Sequence, residues 1–295
     1  MNSRPKKILQ NFLKQYQLEN NNPVFIPFFR IATGLILILL FLSFLKDFNL
    51  LYGLNSIIPS DIHTVYSSSE VVNYNQIIEL INILVGDEIV AVNIFKFIFI
   101  TLCVFVIIGF YSRIFAIFLL LAFTSLIKSS GLYSYGVDFF LMMSLLYISI
   151  LPSDDYYSIL KNKTKSRYTI QQKTFQIHIC IAYFVSGLEK LSGYNWRNGE
   201  SIWKAIHLPS FGNDFTINID FLGKYPILFI CLSWFTILVE LLYPFFVLNR
   251  KTRLFWLYAT MSMHLGIAIF LNLYFFSVTL IVWNLTAFYF KDGNT

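Results

Sequence analysis

One lysine of this sequence stands where an ionisable side chain is costly to place. Lys190 closes the apolar run 174–191, directly after Glu189 and before a loop rich in tryptophan and glycine. Charged side chains within a bilayer usually pair, line a cavity or take part in chemistry. Because desolvation favours the uncharged form of an amine, we interpret Lys190 as a candidate general base. The alternative is a lysine that reaches the lipid headgroups or pairs with Glu189.

Glu240 and His264 are also isolated within apolar stretches. A lone carboxylate in a bilayer must pair or remain protonated, and the candidate partners are Lys190, Arg30 and Lys96. A single histidine without further ligands at a suitable spacing predicts no metal site, so His264 is either a packing residue or a catalytic one. The catalytic candidates are therefore Lys190, Glu240 and His264.

A polar stripe precedes Lys190 on the same predicted helix. Its members are three, four or seven residues apart, which places them on one helical face: Gln172, Gln176, Tyr183, Gly187 and Lys190. Such a face either lines a cavity or forms a polar seam between packed helices, where a glycine such as Gly187 permits a close approach. The residues alone leave both interpretations open.

Three other residues are candidates for binding. Trp196 begins an aromatic loop, which either anchors at the membrane interface or lines the mouth of a site for an amphipathic ligand. Asp138 opens a predicted helix, where an acidic residue in the first turn is favoured by the helix dipole. Arg30 stands near the start of the first apolar run, where it either extends to the headgroups or binds a lipid phosphate.

The composition indicates a membrane protein. The 295 residues are 57% hydrophobic and 13% charged, with a mean hydropathy of +0.64, whereas a soluble domain carries about a quarter charged residues. The net charge of +6 does not indicate nucleic acid as a partner, because the basic residues fall between apolar runs. No Walker loop, dinucleotide fingerprint, serine elbow or zinc-protease motif is present, which argues against the corresponding enzyme and transporter classes.

The apolar runs predict an all-α, polytopic transmembrane bundle of about eight spans. The runs are residues 24–45, 91–110, 114–127, 135–151, 174–191, 226–248 and 254–290. As one helix the last run would be about 55 Å long, against a hydrocarbon core of about 30 Å, so we expect it to turn near Asn272. The predicted domains are a basic segment 1–23, a transmembrane domain 24–290 and a tail 291–295.

The basic residues predict the orientation. With the N-terminus inside, the cytoplasmic segments hold 14 lysines and arginines and the outer segments hold 6, as the positive-inside rule favours. Both termini are then cytoplasmic, Lys190 lies at the outer mouth, and the polar segments 46–90 and 192–225 face outwards. We therefore expect a multi-pass protein of the bacterial cytoplasmic (inner) membrane, with membrane lipids as partners.

The order of several short motifs resembles the horizontally transferred transmembrane (HTTM) domain family. That family is similar to the membrane part of vitamin K-dependent gamma-carboxylase. The resemblance covers residues 24–290, and its most specific element is Gly-x-x-Lys-Leu followed by tryptophan and glycine. The motifs stand at residues 29–34, 135–140, 183–191 with Trp196 and Gly199, 239–240 and 264–268.

The resemblance implies a chemistry. In the carboxylase the matching lysine deprotonates vitamin K hydroquinone, so the resemblance implies Lys190 as the base and a lipid quinone or hydroquinone as cofactor, which the residues alone do not identify. The candidate cofactor-binding residues are Tyr183, Gly187, Trp196, Arg30 and Asp138, which stand in the motifs. The histidine that the carboxylase has before its Tyr-Gly pair is missing from residues 129–133, which argues against glutamate carboxylation, as does the lack of a large propeptide-binding domain.

In length the chain is similar to a bacterial branch of the family, the sporulation-delaying protein B type. Its members work with a partner protein to mature a secreted antimicrobial peptide. We therefore favour peptide maturation, with a small secreted peptide and a maturation protein as partners. The alternatives are a quinone-dependent carboxylase or oxidoreductase and a non-catalytic immunity or lipid-binding protein. Whether the chain is an enzyme stays open at this point.

Overall fold

The computed structural model of the protein describes residues 22–53, 57, 72–129, 134–154, 156–159, 168–208 and 220–290. Within these residues the regular secondary structure is helical and contains no strand, which confirms the all-α prediction for this part of the chain. The predicted basic segment, apart from residues 22 and 23, and the predicted tail lie outside the described residues.

Each predicted apolar run contains a helix. In chain order the helices are α1 Phe25–Ser43, α2 Phe48–Tyr52, α3 Tyr74–Val85, α4 Glu88–Ile108, α5 Ser112–Ser129, α6 Gly136–Ile150, α7 Thr169–Ser192, α8 Tyr194–Arg197, α9 Glu200–Ile206, α10 Pro226–Val247, α11 Arg253–Leu271 and α12 Tyr274–Phe288, with a 3-10 turn at Asp220–Lys224. The long apolar run 254–290 is divided into α11 and α12, as its length required.

Five of the described helices, α1, α4, α5, α10 and α11, are long and apolar enough to cross a membrane. Helices α3, α6 and α12 are apolar but shorter. Helix α7 has 24 residues, about 36 Å at 1.5 Å per residue, but it carries the polar stripe. The structure thus supports a membrane protein, while the number of spans stays a prediction.

The predicted turn in the last apolar run lies at Asn272. This residue has a φ of 52°, in the left-handed region, and ends α11. Asparagine tolerates this conformation better than most residues because its short side chain can form local hydrogen bonds. Here the Asn272 Oδ1 accepts a hydrogen bond of 3.0 Å from the Tyr274 hydroxyl. The turn therefore has a local cause even though the run contains no proline or glycine at this point.

The described residues between α7 and α10 form short helices, which corrects the sequence prediction of a polar loop there. They contain α8, α9 and the 3-10 turn, which we together call the cover. Gly199 separates α8 from α9 with a φ of +85°, and a Cβ there would lie 2.6 Å from the backbone nitrogen of Ile230. The Trp203 ring packs edge-on against Phe229 at 4.9 Å. These short helices form because their apolar side chains and one glycine pack onto α10.

An aromatic cluster fixes α7 against α1, α6 and α12. Trp283 is completely buried and its ring centroid lies 5.4 Å from that of Phe175 and 5.6 Å from that of Phe29. Its indole N–H donates to the Ser144 hydroxyl at 2.9 Å. Because buried indole groups normally need such a partner, this bond fixes the ring. The cluster sets the position of the helix that carries Lys190.

Candidate functional site

A cavity of about 550 Å³ lies between α7, α10, α11 and α12, beneath the cover. Its wall is mostly leucine, isoleucine and phenylalanine, and small-molecule sites with such walls typically measure about 300–1,000 Å³. The polar side chains in the wall include Tyr183, Ser186, Lys190, Glu240 and His264. All three catalytic candidates therefore border one cavity, together with Tyr183 and Trp196 from the predicted binding residues.

Lys190 is bound on three sides at this wall. Its Nζ donates to Glu240 Oε2 at 2.6 Å and to Ser186 Oγ at 2.6 Å. The same nitrogen lies 5.1 Å from the centre of the Trp196 ring, within the range of a cation–π contact. The side chains of Lys190 and Glu240 are 18% and 7% exposed. Of the three candidate partners of Glu240 (Lys190, Arg30 and Lys96), the one that forms an ion pair with it in the structure is Lys190.

These contacts describe an ammonium–carboxylate pair rather than an isolated neutral amine. The carboxylate offsets the cost of desolvating the ammonium, and Ser186 adds a hydrogen bond that such buried pairs need. Lys190 and Glu240 are joined by a direct hydrogen bond of 2.6 Å, so the total charge of the pair is the same whichever of the two holds the shared proton. Any base at this wall is therefore the pair and not the lysine alone.

Gly187 brings α7 and α10 close enough for this pair to form. A Cβ at Gly187 would lie 2.6 Å from the backbone nitrogen of Leu241 and 3.1 Å from the carbonyl carbon of Glu240. Glycine is the residue that permits such an approach of two helices. The structure thus places Gly187 against the backbone of α10, and its observed contact is helix packing.

A second polar group in the wall is a chain of buried hydrogen bonds. The Tyr183 hydroxyl is 2.7 Å from His264 Nε2 and accepts from Asn284 Nδ2 at 2.7 Å. The Tyr243 hydroxyl donates to Asn284 Oδ1 at 2.5 Å. All four residues are less than 5% exposed. The chain connects α7, α10, α11 and α12 next to the cavity.

Asn284, Tyr243 and Ser186 are the residues that the sequence analysis missed. Asn284 is an amide within the closing aromatic helix, and Tyr243 follows Glu240 by three residues, on the same face of α10. Ser186 precedes Lys190 by four residues, a spacing at which helical side chains meet. Tyr243 and Ser186 therefore had a periodicity signal, whereas Asn284 had none, and the partners of Asn284 and Tyr243 include residues on other helices.

The polar stripe on α7 divides into two parts. At its N-terminal end the Gln172 and Gln176 amides donate to the carbonyl oxygens of Phe290 and Ala287, each at 2.8 Å. This part is a polar seam that satisfies the C-terminal end of α12. Towards the C-terminal end of α7, Tyr183 and Lys190 line the cavity. Both interpretations of the stripe thus hold, each for one part of the helix.

Arg30 and Asp138 have other described contacts and do not appear in the cavity wall. Arg30 is completely buried, and its guanidinium donates to the carbonyl oxygens of Ser153 at 2.6 Å and Tyr157 at 2.5 Å. Asp138 accepts from the backbone N–H of Tyr135 at 2.9 Å, which is a cap of α6. Arg30 therefore fixes the segment after α6, and Asp138 the start of that helix.

The cover carries a second lysine–glutamate pair, of the same length as the first but exposed. Lys204 Nζ lies 2.6 Å from Glu200 Oε2, with side chains 60% and 47% exposed. The Lys204 ammonium lowers the pKa of the Glu200 carboxyl from its usual value, by a hydrogen bond and by charge. Neither residue lines the cavity. This pair is a natural control for the one in the wall.

Two further findings concern metal binding and similarity to known proteins. Among the described residues, no group of three or more histidine, cysteine, aspartate or glutamate side chains could hold a metal ion. Comparisons with known protein families, curated proteins and solved structures returned no match. The resemblance to the HTTM family therefore stays a prediction from the sequence motifs.

Proposed function

We propose that this chain is a membrane enzyme that takes a proton from a lipophilic molecule bound in the cavity. The observation that carries this proposal is the Lys190–Glu240 pair in a mostly apolar wall. A structural pair needs no cavity beside it, whereas a proton acceptor must be within hydrogen-bond reach of its substrate. The setting is a multi-pass protein of the bacterial cytoplasmic membrane, with about eight spans.

A lipid hydroquinone fits the wall better than a strongly polar ligand. Its ring and chain would contact the apolar side chains, and a hydroxyl would lie against Lys190 and Glu240, with Trp196 alongside. Such a molecule supplies an acidic hydroxyl proton and reducing electrons when bound. The lysine and glutamate accept the proton as a unit, Ser186 holds the amine in place, and the cover limits access of water.

We further propose that this chemistry serves the maturation of a small secreted antimicrobial peptide, together with a partner protein. The support is the sequence resemblance and the predicted outward opening of the cavity. Deletion of the gene is then expected to abolish the mature peptide, measured as its mass in the culture medium. An unchanged mass and activity of the peptide in the deletion strain would contradict this part of the proposal.

The first test is oxidation of a short-chain naphthohydroquinone by dissolved dioxygen, which gives the quinone and hydrogen peroxide, with the protein in lipid nanodiscs. Lys190→Ala should lower the rate by at least about 100-fold, the lower range for loss of general base catalysis. Lys204→Ala, which removes the exposed pair of the same length, should leave the rate unchanged. Absence of turnover in the wild-type protein, or equal loss in both variants, would count against an enzyme.

The non-catalytic alternative also has an observation in its favour. The Lys190–Glu240 contact joins α7 to α10, so it could serve only to hold two helices in an immunity or lipid-binding protein. In that case Lys190→Ala and Glu240→Gln would retain full activity in cells whenever the protein is present at normal levels. The cellular assay and the protein level together distinguish the two functions.

A further inference from the structure

The hydrogen-bond chain next to the cavity has one direction, which its chemistry determines. Asn284 Nδ2 donates to the carbonyl oxygen of Leu280 at 2.7 Å. A carbonyl cannot donate, so this contact fixes which end of the Asn284 amide is nitrogen. The Asn284 Oδ1 then accepts from the Tyr243 hydroxyl. The second N–H of the Asn284 amide donates to the Tyr183 hydroxyl oxygen.

The direction continues to His264. The Tyr183 oxygen already accepts from Asn284, and its own hydrogen needs an acceptor. The acceptor within reach is His264 Nε2, at 2.7 Å. If Nε2 carried a hydrogen instead, it would donate to the Tyr183 oxygen, and the Tyr183 hydroxyl hydrogen would have no acceptor among the described residues. His264 therefore carries its proton on Nδ1 when neutral.

This arrangement leaves a buried donor without a partner. His264 is 2% exposed, and its Nδ1 has no hydrogen-bond partner among the described residues. An unsatisfied buried donor costs about 1–3 kcal/mol, so such a group usually has a partner in the working protein. The same histidine belongs to the cavity wall, and its Nδ1 is covered by neighbouring atoms, so a molecule bound in the cavity can supply the acceptor once the ring turns slightly towards it.

We propose that the hydrogen-bond chain fixes His264 as the Nδ1–H tautomer, and that this N–H donates to an acceptor oxygen of the molecule bound in the cavity. The ligand class is then a compact, mostly apolar molecule with oxygen at two places. One oxygen forms a hydrogen bond with Lys190, and the other accepts a hydrogen bond from His264. Tyr183, which holds His264, and Lys190 are seven residues apart on α7, and the lysine side chain extends back to Ser186. The Lys190 amine and the His264 ring are therefore roughly 5–10 Å apart along the helix.

The inference rests on the cavity being a ligand site, as proposed above, but it does not require Lys190 to act as a base. Its role is recognition, and the relevant quantity is affinity rather than rate. Tyr183, Asn284 and Tyr243 are positioning residues that act through His264. A failure of the chemistry and a failure of this recognition are therefore distinguishable by measurement.

The binding test uses two probes of the same shape, 2-acetylnaphthalene and 2-isopropenylnaphthalene, which differ in whether a carbonyl oxygen is present. Affinities for the full chain in nanodiscs are measured by equilibrium dialysis against empty nanodiscs. The ketone should bind about 3- to 10-fold more tightly than the alkene, as one net hydrogen bond provides. Lys190→Met should keep this preference, because the proposed donor is on another helix.

Two substitutions separate the ring nitrogens of His264. His264→Gln retains a polar group near the Nε2 position but lacks the Nδ1 donor, and His264→Asn retains a donor near the Nδ1 position. The preference for the ketone should disappear in His264→Gln and persist in His264→Asn. Loss in neither variant would overturn the proposal, because the oxygen would then be recognised elsewhere.

The tautomer is measured without any ligand. In the ¹⁵N spectrum of histidine-labelled protein, the His264 signals, assigned from their absence in His264→Gln, should show a protonated Nδ1 and an unprotonated Nε2. Tyr183→Phe removes the hydroxyl that requires Nε2 as acceptor, and should produce a mixture of tautomers. A protonated Nε2 in the wild-type protein would overturn the proposal even if the cavity binds both probes.

Discussion

At the scale of single residues, the site depends on how Lys190 and Glu240 share a small polar environment. Replacing one member of a buried pair leaves the other charge without a partner, which typically costs about 3–5 kcal/mol, whereas apolar replacement of both can be neutral. The Lys190 side chain is 18% exposed, so the effect should fall at or somewhat below the low end of that range. Replacing both residues by apolar ones should therefore remove the function of the pair without the loss of stability that a single replacement causes.

We expect Glu240→Gln to lower the free energy of unfolding by about 2–3 kcal/mol, because Lys190 loses its counter-ion. The double variant Lys190→Met with Glu240→Leu should recover most of this loss while remaining inactive. Thermal and denaturant unfolding in detergent would measure both. Glu200→Gln, in the exposed pair, is the control and should change stability little. Equal effects at the two glutamates would contradict the burial described here.

Particular residues show what the sequence could and could not predict at the site. The isolation of Lys190, Glu240 and His264 within apolar runs was sufficient to identify them as candidates. The choice of partner for Glu240 among three basic residues depended on how α7 packs on α10, which no local pattern specifies. Arg30 was as unusual in sequence as Lys190, yet its guanidinium binds backbone carbonyls.

At the scale of elements, the close contact of α7 and α10 is what brings the pair together. Gly187→Ala should place a Cβ 2.6 Å from the Leu241 nitrogen, and backbone cannot move aside as a flexible side chain can. We expect a loss of about 1–3 kcal/mol in stability, as for other overpacked contacts, and weaker probe binding. Thermal unfolding and the dialysis assay would measure these effects.

Gly266→Ala is the matched control for the stability part of this prediction, because Gly266 itself lines the cavity. Gly266 is also helical and lies on α11, but apart from its own turn of the helix no heavy atom of the described residues is within 4 Å of a Cβ built there. Alanine is favoured over glycine within a helix by about 1 kcal/mol, so this variant should be as stable as the wild type or more so. If Gly187→Ala behaved like Gly266→Ala, the helices would not be in the close contact described.

The helices themselves were predictable because apolar runs of this length have few alternatives in a membrane. The turn at Asn272 was also predictable, since the run 254–290 was too long for one span. The cover was not, because α8 and α9 have four and seven residues, too short to be stable alone. Their structure depends on packing against α10, through Gly199 and Trp203.

At the scale of the whole molecule, the distribution of basic residues predicts which end of the bundle faces the cytoplasm. In a background with the exposed Cys231 replaced by serine, Lys204→Cys should react with a membrane-impermeant maleimide in intact spheroplasts. Arg113→Cys, in the first turn of α5, should react only after permeabilisation. The reverse pattern would show the opposite orientation and would place the cavity mouth on the cytoplasmic side.

The position of Trp196 gives the protein an optical reporter of its own site. The electronic excitation of an indole moves charge across the ring, so a neighbouring cation alters the colour of its emission. Among the described tryptophans, Trp196 is the one with a cation over its ring. Proton movement or a ligand at Lys190 should therefore change the fluorescence spectrum, and a Trp196→Phe difference spectrum would isolate that signal without any attached dye.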